Sequence, residues 1–66
     1  MLKIKKNVDL GLLLKNGFKP SAMRQLNKNN VIVDVDTKVI GILFNADLSV
    51  IYDLVKADLV EKVEDK

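Results

Sequence analysis

The 66-residue chain contains no histidine and no cysteine, and both absences narrow its function. Without histidine, it lacks the side chain best suited to proton transfer near neutral pH. Without cysteine, it has no disulfide, no redox-active thiol and no thiolate ligand for zinc. We therefore expect no catalytic residue, no cofactor and no metal site, and we predict that the protein is not an enzyme.

Long apolar runs are also missing. The longest runs, at 10–14 and 39–44, are far shorter than the ~20 residues needed to span a bilayer. No apolar signal segment follows the basic start of the chain. We expect no membrane partner and predict a cytoplasmic protein, with which the lack of cysteine agrees.

Apolar residues, in contrast, are plentiful. They make up 48% of the chain, too large a fraction for a disordered protein. The length predicts one domain over residues 1–66, with a disordered tail at 64–66. Such a domain buries roughly 60% of the surface of its unfolded chain, so its core supplies limited stability.

The N-terminal half begins with a strand and a helix. Alternation of apolar and basic residues predicts a strand at 2–5. Asp9 is placed to cap a helix over 10–16, which Gly17 would stop in the left-handed conformation. A further short helical turn is predicted over 21–26, before a run of asparagines.

The C-terminal half predicts a hairpin, a helix and a closing strand. β-Branched residues favour a strand at 31–35, a turn at 36–38 and a return strand at 39–44. A helix follows and ends at Asp58, before a strand at 59–63. We predict that its core face comprises Leu48, Ile51, Tyr52, Val55 and Leu59.

The order of these elements predicts an α+β fold. It is β-α-β-β-α-β, with both helices on one face of a four-stranded, mostly antiparallel sheet. This arrangement is of the ferredoxin-like type, in which the first and last strands lie side by side.

Two terminal segments resemble a known group of proteins. Residues 1–5, 8–10 and 17–19, together with the ending at 52–64, resemble small uncharacterised proteins of Firmicutes phages and prophages. The resemblance implies a phage-type setting in the cytoplasm of a host bacterial cell. It implies no catalytic residue, and it favours a protein that acts by binding.

The apolar surplus gives the first functional hypothesis. Ile32, Val39 and Leu43 fall on the hairpin face opposite Val33, and Leu12 adds apolar surface elsewhere. If the helices cover only one face, these side chains form an interface with a partner protein or with a second copy. Alternatively, the segment 20–30 buries that face. The first hypothesis is a non-enzymatic protein-binding module, with self-association through the hairpin face as one form of it.

Charge asymmetry gives the second hypothesis, which is accessory nucleic-acid binding. Residues 1–30 carry seven basic side chains and one acid, whereas residues 31–66 carry four lysines and eight acids. Basic side chains bind phosphates without reading sequence. Against this, Phe18, Phe44 and Tyr52 have core-like settings and are expected not to stack on bases. The candidate contacts are Lys3, Lys5, Lys6, Lys15, Lys19, Arg24 and Lys28.

A pair of carboxylates gives the third hypothesis. Asp34 and Asp36 lie two residues apart and could hold magnesium or calcium. Such ions need further oxygen ligands, and no other acid is near in the sequence. The competing interpretation, a polar edge at a hairpin turn, is the one we favour.

Overall fold

Eight short elements build the fold, in a computed structural model that describes residues 1–21 and 23–63. The described residues form two helices and six strands, which confirms the α+β class. Within the described residues, neither helix has the length and hydrophobicity that a bilayer-spanning segment requires. The predicted tail at 64–66 lies outside the described residues. The elements are β1 (Leu2–Ile4), α1 (Leu10–Lys15), β2 (Lys19–Ser21), β3 (Gln25–Lys28), β4 (Val31–Asp34), β5 (Ile40–Ile42), α2 (Ser49–Lys56) and β6 (Val60–Lys62).

The strands form two antiparallel sheets. Strands β2, β3, β4 and β5 form a four-stranded sheet in sequence order, while β1 and β6 pair in a two-stranded sheet. The first and last strands pair as predicted, but they form a sheet of their own and do not belong to one four-stranded sheet of the ferredoxin-like type. The sheets meet at a bridge between Lys3 and Val39, where Ile4 N–H donates to the carbonyl of Lys38 at 2.9 Å. The element order contains two more strands than the predicted β-α-β-β-α-β.

The two extra strands lie where a helical turn was predicted, over 21–26, and that prediction was wrong. Strands β2 and β3 pair antiparallel, and Met23 and Arg24 in the loop between them have φ of 61° and 58°. Left-handed residues suit a hairpin loop and do not fit a right-handed helix. Pairing with β4 also buries Leu26, which a local capping signal does not anticipate. Ala22, part of the predicted turn, lies outside the described residues.

Helix α1 forms as its capping residues predict. The Asp9 carboxylate accepts a hydrogen bond from Gly11 N–H at 2.9 Å, which satisfies a free donor of the first turn. Gly17 follows the helix with φ of 101°, a conformation that costs glycine little. Val8 and Leu13 are buried on the inner side of this segment.

The core lies between the inner face of the four-stranded sheet and the two helices. Val31 and Val33 of β4 are fully buried on that face, as the alternation predicts. A two-residue turn with positive φ, Asn29 and Asn30, joins β3 to β4. The buried core residues are Ile4, Val8, Leu13, Phe18, Leu26, Val31, Val33, Val50 and Leu54.

Helix α2 packs on the core through a different face from the predicted one. Val50 and Leu54 are buried, and of the predicted core face Ile51 and Leu59 pack at the margin of the core. Asp58 adopts φ of 61° just after the helix, which confirms its role at the helix end. In contrast, three residues of the predicted core face are exposed, by 62%, 64% and 52%: Leu48, Tyr52 and Val55.

Candidate functional site

The outer face of the hairpin β4–β5 forms an open groove of about 450 Å³. Ile32 lies directly opposite Gly41 in the register of the two strands. Val39 and Leu43 lie two residues to either side of Gly41, so strand alternation places them on the same face. All four residues line the groove, which therefore brings together three of the predicted interface residues.

Gly41 forms the floor of this groove. A Cβ built on Gly41 would have no heavy atom within 4 Å, so the space above its backbone is open. Ile32 and Val39 are half-buried beside it, and Leu43 is 47% exposed. The missing side chain thus leaves a shallow depression between three apolar ones.

The segment expected to cover this face lies beside it instead. Strand β3 extends the sheet sideways, with Asn27 opposite Ile32 and Gln25 opposite Asp34. Gln25 contributes to the rim of the groove rather than to a lid. The alternative in which residues 20–30 bury the outer face is therefore wrong for the described part of that segment.

The polar end of the groove lies toward the turn at 36–38. Asp34 Oδ1 accepts hydrogen bonds from the backbone N–H groups of Asp36 and Thr37, at 2.8 and 3.0 Å. Thr37 Oγ1 accepts a hydrogen bond from Val39 N–H at 3.3 Å. These bonds fix the turn, and the groove is lined at this end by Asp34 and Thr37.

An ion pair from the loop between β2 and β3 closes the same turn. Arg24 donates from Nη2 to Asp36 Oδ1 at 2.7 Å and from Nε to Oδ2 at 2.9 Å. The hydrogen bonds from Arg24 hold the pKa of Asp36 below its ordinary value, and those to Asp36 raise the pKa of Arg24. The turn thus engages Oδ1 of Asp34, and Arg24 engages both carboxylate oxygens of Asp36. Among the described residues, no group of three or more acids, cysteines or histidines could hold a metal ion.

The predicted basic residues are largely dispersed. Lys5 pairs with Asp58 at 2.8 Å, and Lys28 donates to the carbonyl of Asn16 at 2.6 Å. Arg24 is held by its ion pair. Lys15 lies at the end of α1 and Lys19 in β2, both exposed.

One local gathering of lysines remains, around a depression of about 690 Å³ between β1 and the 36–38 turn. Lys3, Lys6 and Lys38 line it, but Asp36 and Glu61 line it too. Glu61 lies directly opposite Lys3 in the β1–β6 pair. The positive charge of this depression is therefore partly compensated within the molecule.

A second exposed apolar surface, on α2, was not predicted from the sequence. Leu48, Tyr52 and Val55 were assigned to the core, and Phe44 was given a core-like setting, yet Phe44 is 87% exposed. The missed signal is the width of the apolar arc of α2. Besides the exposed residues, this arc includes Val50 and Leu54. A single helix cannot bury an apolar arc of this width against a small core.

The remaining predicted interface residue lies apart from the groove. Leu12 is on α1, is 41% exposed and does not line the groove.

A further cavity of about 170 Å³ lies between the end of α1, β3 and α2, and its lining includes Phe18 and Leu54. It is smaller than the roughly 300–1,000 Å³ typical of small-molecule sites.

Comparisons with known proteins identify no relative: the chain matches no family model, no curated protein and no solved structure. The terminal resemblance to small phage proteins therefore stays a prediction.

Proposed function

We propose that this protein is a non-enzymatic protein-binding module of the phage or prophage type. In this proposal, the groove on the outer face of the hairpin β4–β5 takes an apolar side chain of a partner protein. The observation that carries it is the placement of Ile32, Val39 and Leu43 around the open floor at Gly41. The phage setting rests on the terminal resemblance alone.

The physical support is the cost of leaving such a surface in water. Burying apolar area gains roughly 25 cal/mol per Å², and contiguous apolar patches on small proteins mark interaction sites. Ile32, Val39 and Leu43 belong neither to the buried core nor to the apolar residues packed against it. The outer apolar residues are therefore available for a partner.

The groove also suggests the chemistry of its partner. Its floor suits an aliphatic or aromatic side chain, which is the usual anchor of a protein interface. Asp34 and Thr37 place oxygen atoms at one end of the groove, where a basic or N–H-bearing group of the partner fits. The expected recognition element is thus an apolar residue beside a basic one.

Selection of displayed peptides on the immobilised protein tests this proposal. We expect the selected peptides to share an apolar anchor next to a basic residue. Gly41→Val should fill the groove floor and weaken their binding at least tenfold, equivalent to about 1.4 kcal/mol. Leu14→Ala, which removes an exposed apolar side chain on α1, serves as the matched control and should bind like the wild type.

Two results would contradict the proposal. One is a selection that yields no shared pattern. The other is binding that Gly41→Val leaves intact, because a partner that tolerates a filled groove does not use it.

Accessory nucleic-acid binding is the second candidate, and one observation favours it. Lys3, Lys6 and Lys38 line the same depression. If they contact phosphates, binding to a random-sequence duplex should weaken steeply as salt rises. Replacing Lys3 and Lys6 with glutamine should weaken that binding for all sequences alike, whereas Lys15→Gln, at the end of α1, is the control. No binding at low ionic strength would exclude this candidate.

A further inference from the structure

Helix α2 carries an apolar strip that is separate from the hairpin groove. Leu48, the N-cap residue with helical φ and ψ, and Tyr52 and Val55 of the helix are each more than half exposed. At about 100° per residue, these positions fall within a strip about 60° wide along the helix. Val50 and Leu54 already attach α2 to the core on another side. The strip is therefore not needed for the packing of its own chain.

The strip has the spacing of a helix–helix seam. Its residues follow one another at intervals of four and three, as in the seam of a coiled coil. Leu48 and Val55 lie at its two ends and Tyr52 near its midpoint. In an antiparallel pair with a two-fold axis, Leu48 of one copy faces Val55 of the other, and the two Tyr52 side chains meet near the axis. The strip is thus complementary to itself.

The charges at the two ends of α2 favour the same orientation. At the start, the Asp47 carboxylate accepts hydrogen bonds from the Ser49 hydroxyl at 2.7 Å and from Ser49 N–H at 3.0 Å. These bonds hold the pKa of Asp47 below its ordinary value, so the carboxylate stays charged. At the end, Lys56 lies seven residues after Ser49 and thus on the same side of the helix.

Antiparallel packing brings these unlike charges together. Lys56 of one copy approaches Asp47 and Ser49 of the other, and each helix end lies beside the oppositely polarised end of its neighbour. Parallel packing would instead place acid beside acid and base beside base. Lys56 Nζ lies 5.4 Å from the centroid of the Tyr52 ring, so it already lies at the edge of the strip.

We propose that two copies of this chain associate antiparallel through the α2 strip of Leu48, Tyr52 and Val55. This interface is distinct from the hairpin groove and leaves the groove free for another partner. An eight-residue helix is only about 12 Å long, so the contact is smaller than the roughly 800 Å² per partner of a standard interface. The dimer is accordingly weak and forms as the protein concentration rises.

Site-directed cross-linking tests the orientation, because the chain has no cysteine of its own. Tyr52→Cys should form a disulfide-linked dimer under mild oxidation at concentrations where Leu14→Cys, an exposed control on α1, does not. A mixture of Leu48→Cys and Val55→Cys should cross-link several times faster than either variant alone. Faster cross-linking of each variant with itself would indicate parallel packing and overturn the proposal.

Sedimentation equilibrium tests the association itself. The average mass of the wild type should rise with concentration, whereas Tyr52→Lys, which brings two ammonium groups to the axis, should remain monomeric with unchanged circular dichroism. Leu14→Lys adds the same charge on α1 and should associate like the wild type. A wild type that stays monomeric at millimolar concentration, or Tyr52→Lys that associates normally, would overturn the proposal.

Two further measurements separate this proposal from other uses of the surface. Gly41→Val should leave self-association unchanged. If Gly41→Val abolishes self-association, the contact lies in the hairpin groove, and the proposal of an α2 interface is overturned. Vesicles of anionic phospholipid should not bind the protein. Vesicle binding that Tyr52→Lys abolishes would assign the strip to a lipid surface and equally overturn the dimer.

Discussion

Along β4, the inner and outer faces of the hairpin β4–β5 differ in burial far more than in hydrophobicity, whereas Ile42, on the inner face of β5, is 58% exposed. On the inner side, Val31 and Val33 are fully buried. On the outer side, Ile32, Val39 and Leu43 are equally apolar but lie around an open groove. Apolar character therefore identifies a strand here but does not identify which of its faces enters the core. Among the described residues, the nine of the buried core do not include all the apolar side chains, and several of the others are exposed.

We expect the largest difference between a buried and an exposed position, in the free energy of unfolding of their alanine variants, on α1. Leu13 is fully buried and its neighbour Leu14 is 47% exposed. We expect Leu13→Ala to lower the free energy of unfolding by about 2–5 kcal/mol, from lost burial and the cavity left behind. Leu14→Ala should change it by no more than about 0.5 kcal/mol. Urea denaturation of the two variants measures both, and equal losses would contradict the assignment of sides.

Within β4, Val33 and Ile32 lie on opposite faces and should respond differently to substitution. Val33→Thr keeps the shape of the side chain but buries a hydroxyl, which we expect to cost about 1–3 kcal/mol if the hydroxyl has no partner. Ile32→Thr, on the outer side, should cost no more than about 1 kcal/mol. Thermal unfolding of the two variants at one pH distinguishes them, and a larger loss for Ile32→Thr would reverse the two faces.

A substitution on the outer side should even stabilise the protein. Gly41→Val meets no atom within 4 Å of its Cβ, and it replaces a residue that weakens a strand interior. We expect a gain of roughly 0.5–1 kcal/mol in the free energy of unfolding, together with the loss of groove binding. Destabilisation instead would mean that the groove floor is not open.

The smallest expected effect concerns the pH dependence of the turn beside the groove. The pKa of Asp36 lies below its ordinary value because of Arg24, so the ion pair contributes its full stability above the ordinary aspartate pKa. That contribution is lost as the pH falls through the lowered value. Both side chains are exposed, so the effect is small. Unfolding curves between pH 7 and pH 2 should show less acid sensitivity for Asp36→Asn than for the wild type.

Local signals explain the parts of the fold that could be predicted. Asp9 and Gly17 define α1 through bonds and angles within the same segment. Alternation likewise placed Val31 and Val33 on one face of β4. Strands β2 and β3 could not be predicted in this way, because β3 is held by pairing with β4, and β2 in turn by pairing with β3.

Part of the candidate site could also be predicted from the sequence. Alternation about Gly41 brought Ile32, Val39 and Leu43 to one face, as the structure places them. The strip on α2 was not found, because two overlapping apolar faces fit the helical period equally well. Only the packing of Val50 and Leu54 against the core decides which face is buried.

Strand β2 has a consequence for the behaviour of the protein at high concentration. It lies at the edge of the four-stranded sheet and contains Lys19 and Pro20, both exposed. Proline offers no N–H to an incoming strand, and a lysine charge repels a second copy of itself. The β2 edge of the sheet is therefore a poor template for fibril growth, although the protein carries uncovered apolar surface elsewhere.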